Sequence, residues 1–167
     1  KKMKLEVKPA SGKLGVLVVG VGGAVSSTFI VGTLAVRKGL ATPIGSITQL
    51  ATMRLGKRNE NKFPKIKDIV PLATLDDIVF GGWDIFPEDV YEGAVHAEVL
   101  NQKDLEGVKD ELKAIKPMKA AFDQNFVKRL HGTHVKEAAT RWELMEQVRE
   151  DIRNFKAANN CERVVVI

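Results

Sequence analysis

Residues 14–28 read LGVLVVGVGGAVSST, an apolar run broken at Gly20, Gly22 and Gly23 and resumed by Ser26, Ser27, Thr28, Phe29, Ile30 and Val31. That pattern fits a buried strand, a glycine turn and the start of a helix, the geometry that holds the pyrophosphate of a dinucleotide. Gly20 allows the tight turn and Gly22 the close approach of backbone N–H groups to phosphate, while the dipole of the helix behind them favours negative charge. The third fingerprint position is Val25, not Gly or Ala, and Gly23 adds freedom earlier in the turn. Ser26, Ser27 and Thr28 offer hydroxyl donors. The competing reading is a βα turn that merely packs tightly.

Along the rest of the chain, apolar periodicity alternates between strand and helix, which gives an α/β fold, a Rossmann-type parallel sheet with flanking helices. Strands are expected at about 14–20, 44–49, 77–81 and 163–167. The first helix carries Phe29, Leu34 and Val36 and closes on Arg37, Lys38 and Gly39, basic residues and then glycine where a helix end prefers them. Pro87, Glu88 and Asp89 open a helix through Tyr91, Val95 and Val99. An amphipathic helix at 103–115 runs through Leu105, Val108, Leu112 and Ile115 and stops at Pro117. In the last helix Trp142, Met145, Val148, Ile152 and Phe155 recur at spacings of three and four, with Thr140 and Glu143 as a capping box. Residues 54–67 hold six basic residues and Pro64, and read as an exposed loop. The chain finishes on Val164, Val165, Val166 and Ile167, a core strand. A buried parallel strand normally feeds another turn and helix, so the sheet is expected to be incomplete at its C-terminal end.

A length of 167 residues suits one domain: a basic tail at 1–12 and a dinucleotide-binding unit at 13–167. Cys161 is the only cysteine, which excludes an internal disulfide and fits a reducing, cytoplasmic compartment. No apolar run approaches the ~18 residues of a membrane span. The net charge of +5 is uneven, +9 up to Asn59 and −4 from Glu60 onward, so the glycine turn lies in the positive half, a field suited to a phosphorylated ligand. The basic residues are not interleaved with aromatics and match no nucleic-acid reading module.

A usual NAD fingerprint places Asp or Glu about 20 residues beyond the glycines, at the end of the second strand, on the adenine ribose. No acid occurs between Lys8 and Asn59. Either Arg54 meets a 2′-phosphate, implying NADP, or the ribose acid comes from elsewhere. The segment IVFGGWD supplies a candidate, since it delivers Asp84 to the carboxyl end of a strand, with Trp83 packing beneath the turn. The alternative is that Asp84 caps the following helix and Trp83 is core. His131 and His134 have a spacing open to a metal, but Gly132 lies between them and no Cys or carboxylate is adjacent, so no metal site is expected. His96 reads as structural and Cys161 as an inert thiol. No Ser, His and Asp arrangement stands out.

The combination of VGVGGAVSST, FGGWDI, and TRWELMEQVREDIRNFKAANN running into VVVI resembles the NAD-binding part of the inositol-3-phosphate synthase family over residues 13–167. The resemblance implies an isomerase that binds NAD and converts glucose 6-phosphate to 1D-myo-inositol 3-phosphate by internal oxidation, aldol cyclisation and reduction. By position, Gly20, Val21, Gly22, Gly23, Ala24 and Val25 correspond to the pyrophosphate turn. Asp84 corresponds to the family's adenosine-side aspartate, and Ala120 and Ala121 to a further cofactor-contacting segment. Where the family is rich in Asn, Gln and Arg, this chain has His131, Gly132 and His134. The resemblance further implies catalytic lysines and tetramer-forming elements beyond Ile167, so that these residues alone are expected to be inactive. An ordinary NAD(P)-dependent dehydrogenase domain and a non-catalytic dinucleotide-binding module remain the alternatives.

Overall fold

The computed structural model describes residues 11–167, so nearly all of the basic tail read at 1–12 lies outside the described residues. Four strands, β1 (Lys13–Val19), β2 (Ile78–Asp84), β3 (Met118–Lys119) and β4 (Cys161–Val166), form one sheet in the order β3-β2-β1-β4. Every pairing is parallel. This order is that of the first strands of a doubly wound sheet, with the reversal between β1 and β4. The expected α/β architecture is present.

Alternation along the strands assigns side chains to two faces. Val16, Val18 and Phe80 face a core built with Ile30, Val31 and Leu34 of α1 (Ala24–Arg37) and with Val90, Tyr91 and Ala94 of α4 (Val90–Ala97). Leu17 and Trp83 face the other core, made with Val148, Ile152 and Phe155 of α7 (Arg141–Ala158). The Phe155 ring lies over two strand glycines: a Cβ on Gly15 would come within 2.9 Å of it and one on Gly81 within 2.5 Å. Gly81→Ala should therefore lower unfolding free energy by about 1–3 kcal/mol, as overpacking does. An unchanged denaturant midpoint would show that Phe155 yields freely.

Helix ends follow local chemistry. Asp89 caps α4, accepting from the Glu92 N–H at 3.0 Å while Glu92 reaches back to the Asp89 N–H. Burial works to raise the Asp89 carboxyl, but the hydrogen bond from Lys116 at 2.8 Å and the N–H groups of Glu92 and Tyr91 outweigh it and hold it below its ordinary value. Thr140 caps α7 through the Glu143 N–H, although the Glu143 carboxylate reaches Ala139 instead of Thr140, so only half of the expected box forms.

Three expectations need correction. Residues 44–49 are not a strand: they make a turn and α2 (Ile47–Leu50), with Ile44 and Ile47 largely exposed. β2 and β4 already occupy both edges of β1, so the sheet has no place for them beside it. Residues 40–77 instead form an excursion holding α2, two antiparallel bridges (Thr52 with Lys65, Leu55 with Lys62) and α3 (Ile66–Ile69). Arg37 closes its base by donating to the carbonyls of Leu75 and Ile78. The helix read at 103–115 is two, α5 (Gln102–Glu106) and α6 (Lys109–Ala114), broken at Gly107, yet Leu105, Val108 and Leu112 still bury one continuous face. Finally, β4 is an edge strand among the described residues, and Val165 and Val166 are exposed, not core.

Candidate functional site

The chain turns sharply after β1. Gly20 takes φ +80°, a left-handed conformation that favours glycine. The Trp83 carbonyl accepts from both the Gly20 N–H (2.8 Å) and the Val21 N–H (3.1 Å), so β2 holds the turn from beside it. The Gly23 N–H donates to the Gly20 carbonyl, and the Gly22 N–H donates to Asp84 Oδ2 at 2.9 Å across 62 residues of sequence. The turn's own N–H groups are thus engaged. The open donors belong to α1: its first bond runs from Ser27 to the Gly23 carbonyl, which leaves the N–H groups of Ala24, Val25 and Ser26 at the positive end of the helix dipole. No acidic residue stands in that first turn.

The hydroxyls expected as ligand donors are spent on the backbone. Ser26 Oγ donates to the Gly20 carbonyl at 2.7 Å, and Ser27 and Thr28 both donate to the Ala24 carbonyl. They fix the turn instead of reaching a ligand. Val21 is fully buried in the α1 side of the core, and Val25 is 82% exposed, so its side chain obstructs nothing. The close backbone approach occurs between the turn and α4: a Cβ on Gly93 would stand 2.6 Å from the Gly22 oxygen and 2.9 Å from its Cα. Gly93 went unnoticed in the sequence, though a glycine inside a helical pattern signals such an approach.

A cleft of about 810 Å³ opens at the carboxyl ends of β1 and β2. Gly20, Gly22, Gly23 and Ala24 form one wall, Asp84 to Phe86 with Glu88 another, and Ala120, Ala121, Phe122 and Leu130 a third. The structure therefore brings together most of the residues singled out in the sequence, with Val21 and Val25 outside the lining. Ala120 meets the cleft while its own N–H and carbonyl are engaged by His134 and Lys136. Phe86, Phe122 and Leu130 were missed, and Glu88 and His96 were read only as parts of a helix; they lie on loops and a helix lip, where no periodic signal marks a cleft.

Asp84 does not cap α4, since Asp89 does. Its Oδ1 instead accepts from the Phe86 N–H at 3.2 Å, and Oδ2 from Gly22, which aims the carboxylate at the glycine turn. Trp83 is core: it is 3% exposed, and its indole N–H donates to Asp151 Oδ2 at 2.6 Å, where Lys136 also pairs at 2.7 Å. His134 is a strut. Its N–H donates to the Ile85 carbonyl, its carbonyl accepts from Ala120, and its ring Nε2 lies 3.1 Å from the Pro117 oxygen. His96, read as structural, is exposed and lines the cleft. Cys161 is buried, which pushes its thiol above its ordinary value, as an inert thiol requires.

Charge in the cleft differs from the expectation drawn from the basic N-terminal half. Among the described residues no Lys or Arg lines it, and Arg54 stands on the exposed excursion, outside the lining. Phosphate attraction falls to the N–H groups and dipole of α1. Two carboxylates, Asp84 and Glu88, oppose a 2′-phosphate and leave NAD as the dinucleotide that fits, because a carboxylate accepts hydrogen bonds from free ribose hydroxyls.

A glycine turn at the reversal of a 3-2-1-4 parallel sheet, an open helix N-terminus and an acid ending the adjacent strand define a dinucleotide-binding domain of Rossmann type. Residues 14–167 match the family model for myo-inositol-1-phosphate synthase, in its NAD-binding part, and the chain belongs to that family. It is 73% identical over 165 residues to inositol-3-phosphate synthase 1 of Bacteroides thetaiotaomicron, covering 99% of this chain and 38% of that protein. With inositol-3-phosphate synthase 1 of Oryza sativa it shares 32% identity over 168 residues, 93% of this chain and 33% of that protein. The crystal structure of inositol-3-phosphate synthase from Caenorhabditis elegans superposes with a TM-score of 0.83 at 29% identity, covering 95% of this chain and 34% of that one. The chain thus spans about a third of the length of the relatives it matches.

Proposed function

We propose that this chain is the NAD-holding part of an inositol-3-phosphate synthase, an isomerase that converts D-glucose 6-phosphate to 1D-myo-inositol 3-phosphate. The observation that carries the reading is the Asp84 carboxylate fixed on the Gly22 N–H at the mouth of the cleft. In this reading Asp84 accepts from the adenosine ribose, Ala24, Val25 and Ser26 present N–H groups to the pyrophosphate, and Gly20, Gly22 and Gly23 keep the approach clear of side chains. Ala120 and Ala121 line the adenosine side. Bound NAD supplies a hydride acceptor that is restored within each turnover, so substrate and product share one oxidation state.

No residue of this chain is given an acid–base role. Enolisation and aldol closure of the sugar phosphate need groups that we place outside the described residues, in keeping with a chain that spans 38% of its Bacteroides relative. The family relationship further supports a homo-tetrameric complete enzyme, cytoplasmic and serving inositol and phospholipid biosynthesis. Among the described residues no helix is long and apolar enough to cross a membrane.

The test is to supply full-length protein with glucose 6-phosphate and catalytic NAD while following both inositol phosphate and NADH. Product forming without net NADH accumulation is the expected result. NADH rising in step with sugar oxidation would replace this reading with an ordinary dehydrogenase, and NAD binding without any turnover would favour a non-catalytic module.

A further inference from the structure

We infer that Asp151 is a positioning residue for the cofactor, setting the distance between two walls of the cleft, an inference that rests on the cleft being a dinucleotide site. Asp151 lies on α7 three residues after Val148 and four before Phe155, so its carboxylate is carried on the face that packs against the sheet. One oxygen of it serves two donors: Oδ2 accepts from the Trp83 indole N–H at 2.6 Å and from Lys136 Nζ at 2.7 Å. The pair is largely withdrawn from water, with the Lys136 side chain 10% and that of Asp151 20% exposed. Each donor leads to a different wall. The Trp83 carbonyl holds the Gly20 and Val21 N–H groups of the glycine turn, and the Lys136 N–H donates to the Ala120 carbonyl at 2.9 Å. Asp151 and Lys136 themselves stand outside the cleft lining, so the carboxylate ties the turn to the Ala120 wall from behind.

The Ala120 wall needs such a tie. Among the described residues β3 meets β2 at two pairs, Trp83 with Met118 and Asp84 with Lys119. Beyond them the wall hangs on a single bridge, Ala120 with Val135, and on the His134 N–H at the Ile85 carbonyl. A long ladder of hydrogen bonds would fix the wall by itself, and a two-residue strand does not. Stability alone is a poor reason for the ion pair, because desolvation offsets most of the attraction between buried charges and apolar side chains of like volume do as well. The pair adds geometry: two directed bonds to one charged oxygen fix the indole and the ammonium relative to each other. A misplacement of about 1 Å is enough to weaken an interaction that depends on orientation. A dinucleotide that must meet the N–H groups of α1, Asp84 and Ala120 together registers that distance.

Full-length protein is compared with Asp151→Ala, Lys136→Met and the double variant Lys136→Met/Asp151→Leu, at a temperature where circular dichroism shows each to be folded. NAD is titrated calorimetrically, and inositol phosphate formation from glucose 6-phosphate is followed against NAD concentration. Both single variants should raise the Kd for NAD and its apparent KM by about fivefold or more, the size of coupling within one side-chain network, while kcat at saturating NAD stays near that of the wild type. A merely structural role moves other quantities: it removes active molecules, so kcat and Tm fall and KM stays where it was. The double variant puts apolar volume in place of the pair, so it should unfold later than Asp151→Ala yet keep the weakened NAD binding. An Asp151→Ala protein that is less stable but binds NAD as the wild type does overturns the inference, as does a double variant with wild-type affinity. A wild type that binds no NAD overturns the proposed function, and so separates the two.

Discussion

Gly22→Leu should weaken NAD binding at least about a hundredfold and leave the fold intact. A Cβ built at Gly22 stands 3.3 Å from Asp84 Oδ2 and 3.9 Å from the Gly93 Cα, so a first carbon is tolerated only by a small shift of the carboxylate. Further carbons must enter the cleft that Gly22 lines. The loss should therefore be graded, modest for Gly22→Ala and at least about a hundredfold in Kd for Gly22→Leu, on the order of 2.7 kcal/mol. Stability should change little, because the side chain grows into open cleft instead of core. Titration with NAD alongside thermal unfolding separates the two effects. A Gly22→Leu protein that binds NAD normally would remove the turn from the site.

Asp84→Ala comes second in size. It deletes the acceptor proposed for the ribose and strands the N–H groups of Gly22 and Phe86. Hydrogen bonds to charged groups contribute about 1.5–3 kcal/mol, so NAD affinity should fall by roughly ten- to a hundredfold. The stranded donors also cost stability. Asp84→Asn helps to separate the two: its amide oxygen still accepts from the Gly22 N–H while its NH₂ opposes the Phe86 N–H, so stability falls less than in Asp84→Ala, and the lost charge narrows discrimination between NAD and NADP. If Asp84→Ala unfolds more readily yet binds NAD as the wild type does, the carboxylate is a brace for the turn and nothing more.

The parts of the fold legible in the sequence are those with a strong local signal. The run from Leu14 to Val19, the glycine turn and α1 are set by apolar continuity and by glycines that local geometry demands, and α7 by its three- and four-residue spacing. What was not legible depends on topology. Ile44 and Ile47 carry strand-like side chains, but sheet positions beside β1 are taken by segments far away in sequence, β2 and β4. The apparent absence of an acid at the end of the neighbouring strand had the same origin. Asp84 ends the strand next to β1, the place the fingerprint prescribes, and the excursion at 40–77 delays it past the usual spacing. A local window cannot tell a missing acid from a displaced one.

The cleft chemistry divides in the same way. Gly20, Gly22, Gly23, Asp84, Ala120 and Ala121 were identifiable from motif and resemblance. The commitment of the turn's N–H groups to Trp83 and Asp84 was not, and it moves the donors open to a phosphate onward to Ala24, Val25 and Ser26. Net charge misled for a related reason. It sums over the surface, whereas the cleft collects only a few side chains, and among them the charges are carboxylates.

The most direct measurement is a crystal structure of the full-length protein with NAD bound. The account predicts the pyrophosphate against the N–H groups of Ala24, Val25 and Ser26 and a ribose hydroxyl within hydrogen-bond distance of Asp84. A dinucleotide lying elsewhere, or one seated in the cleft with Asp84 making no contact to it, would contradict the account.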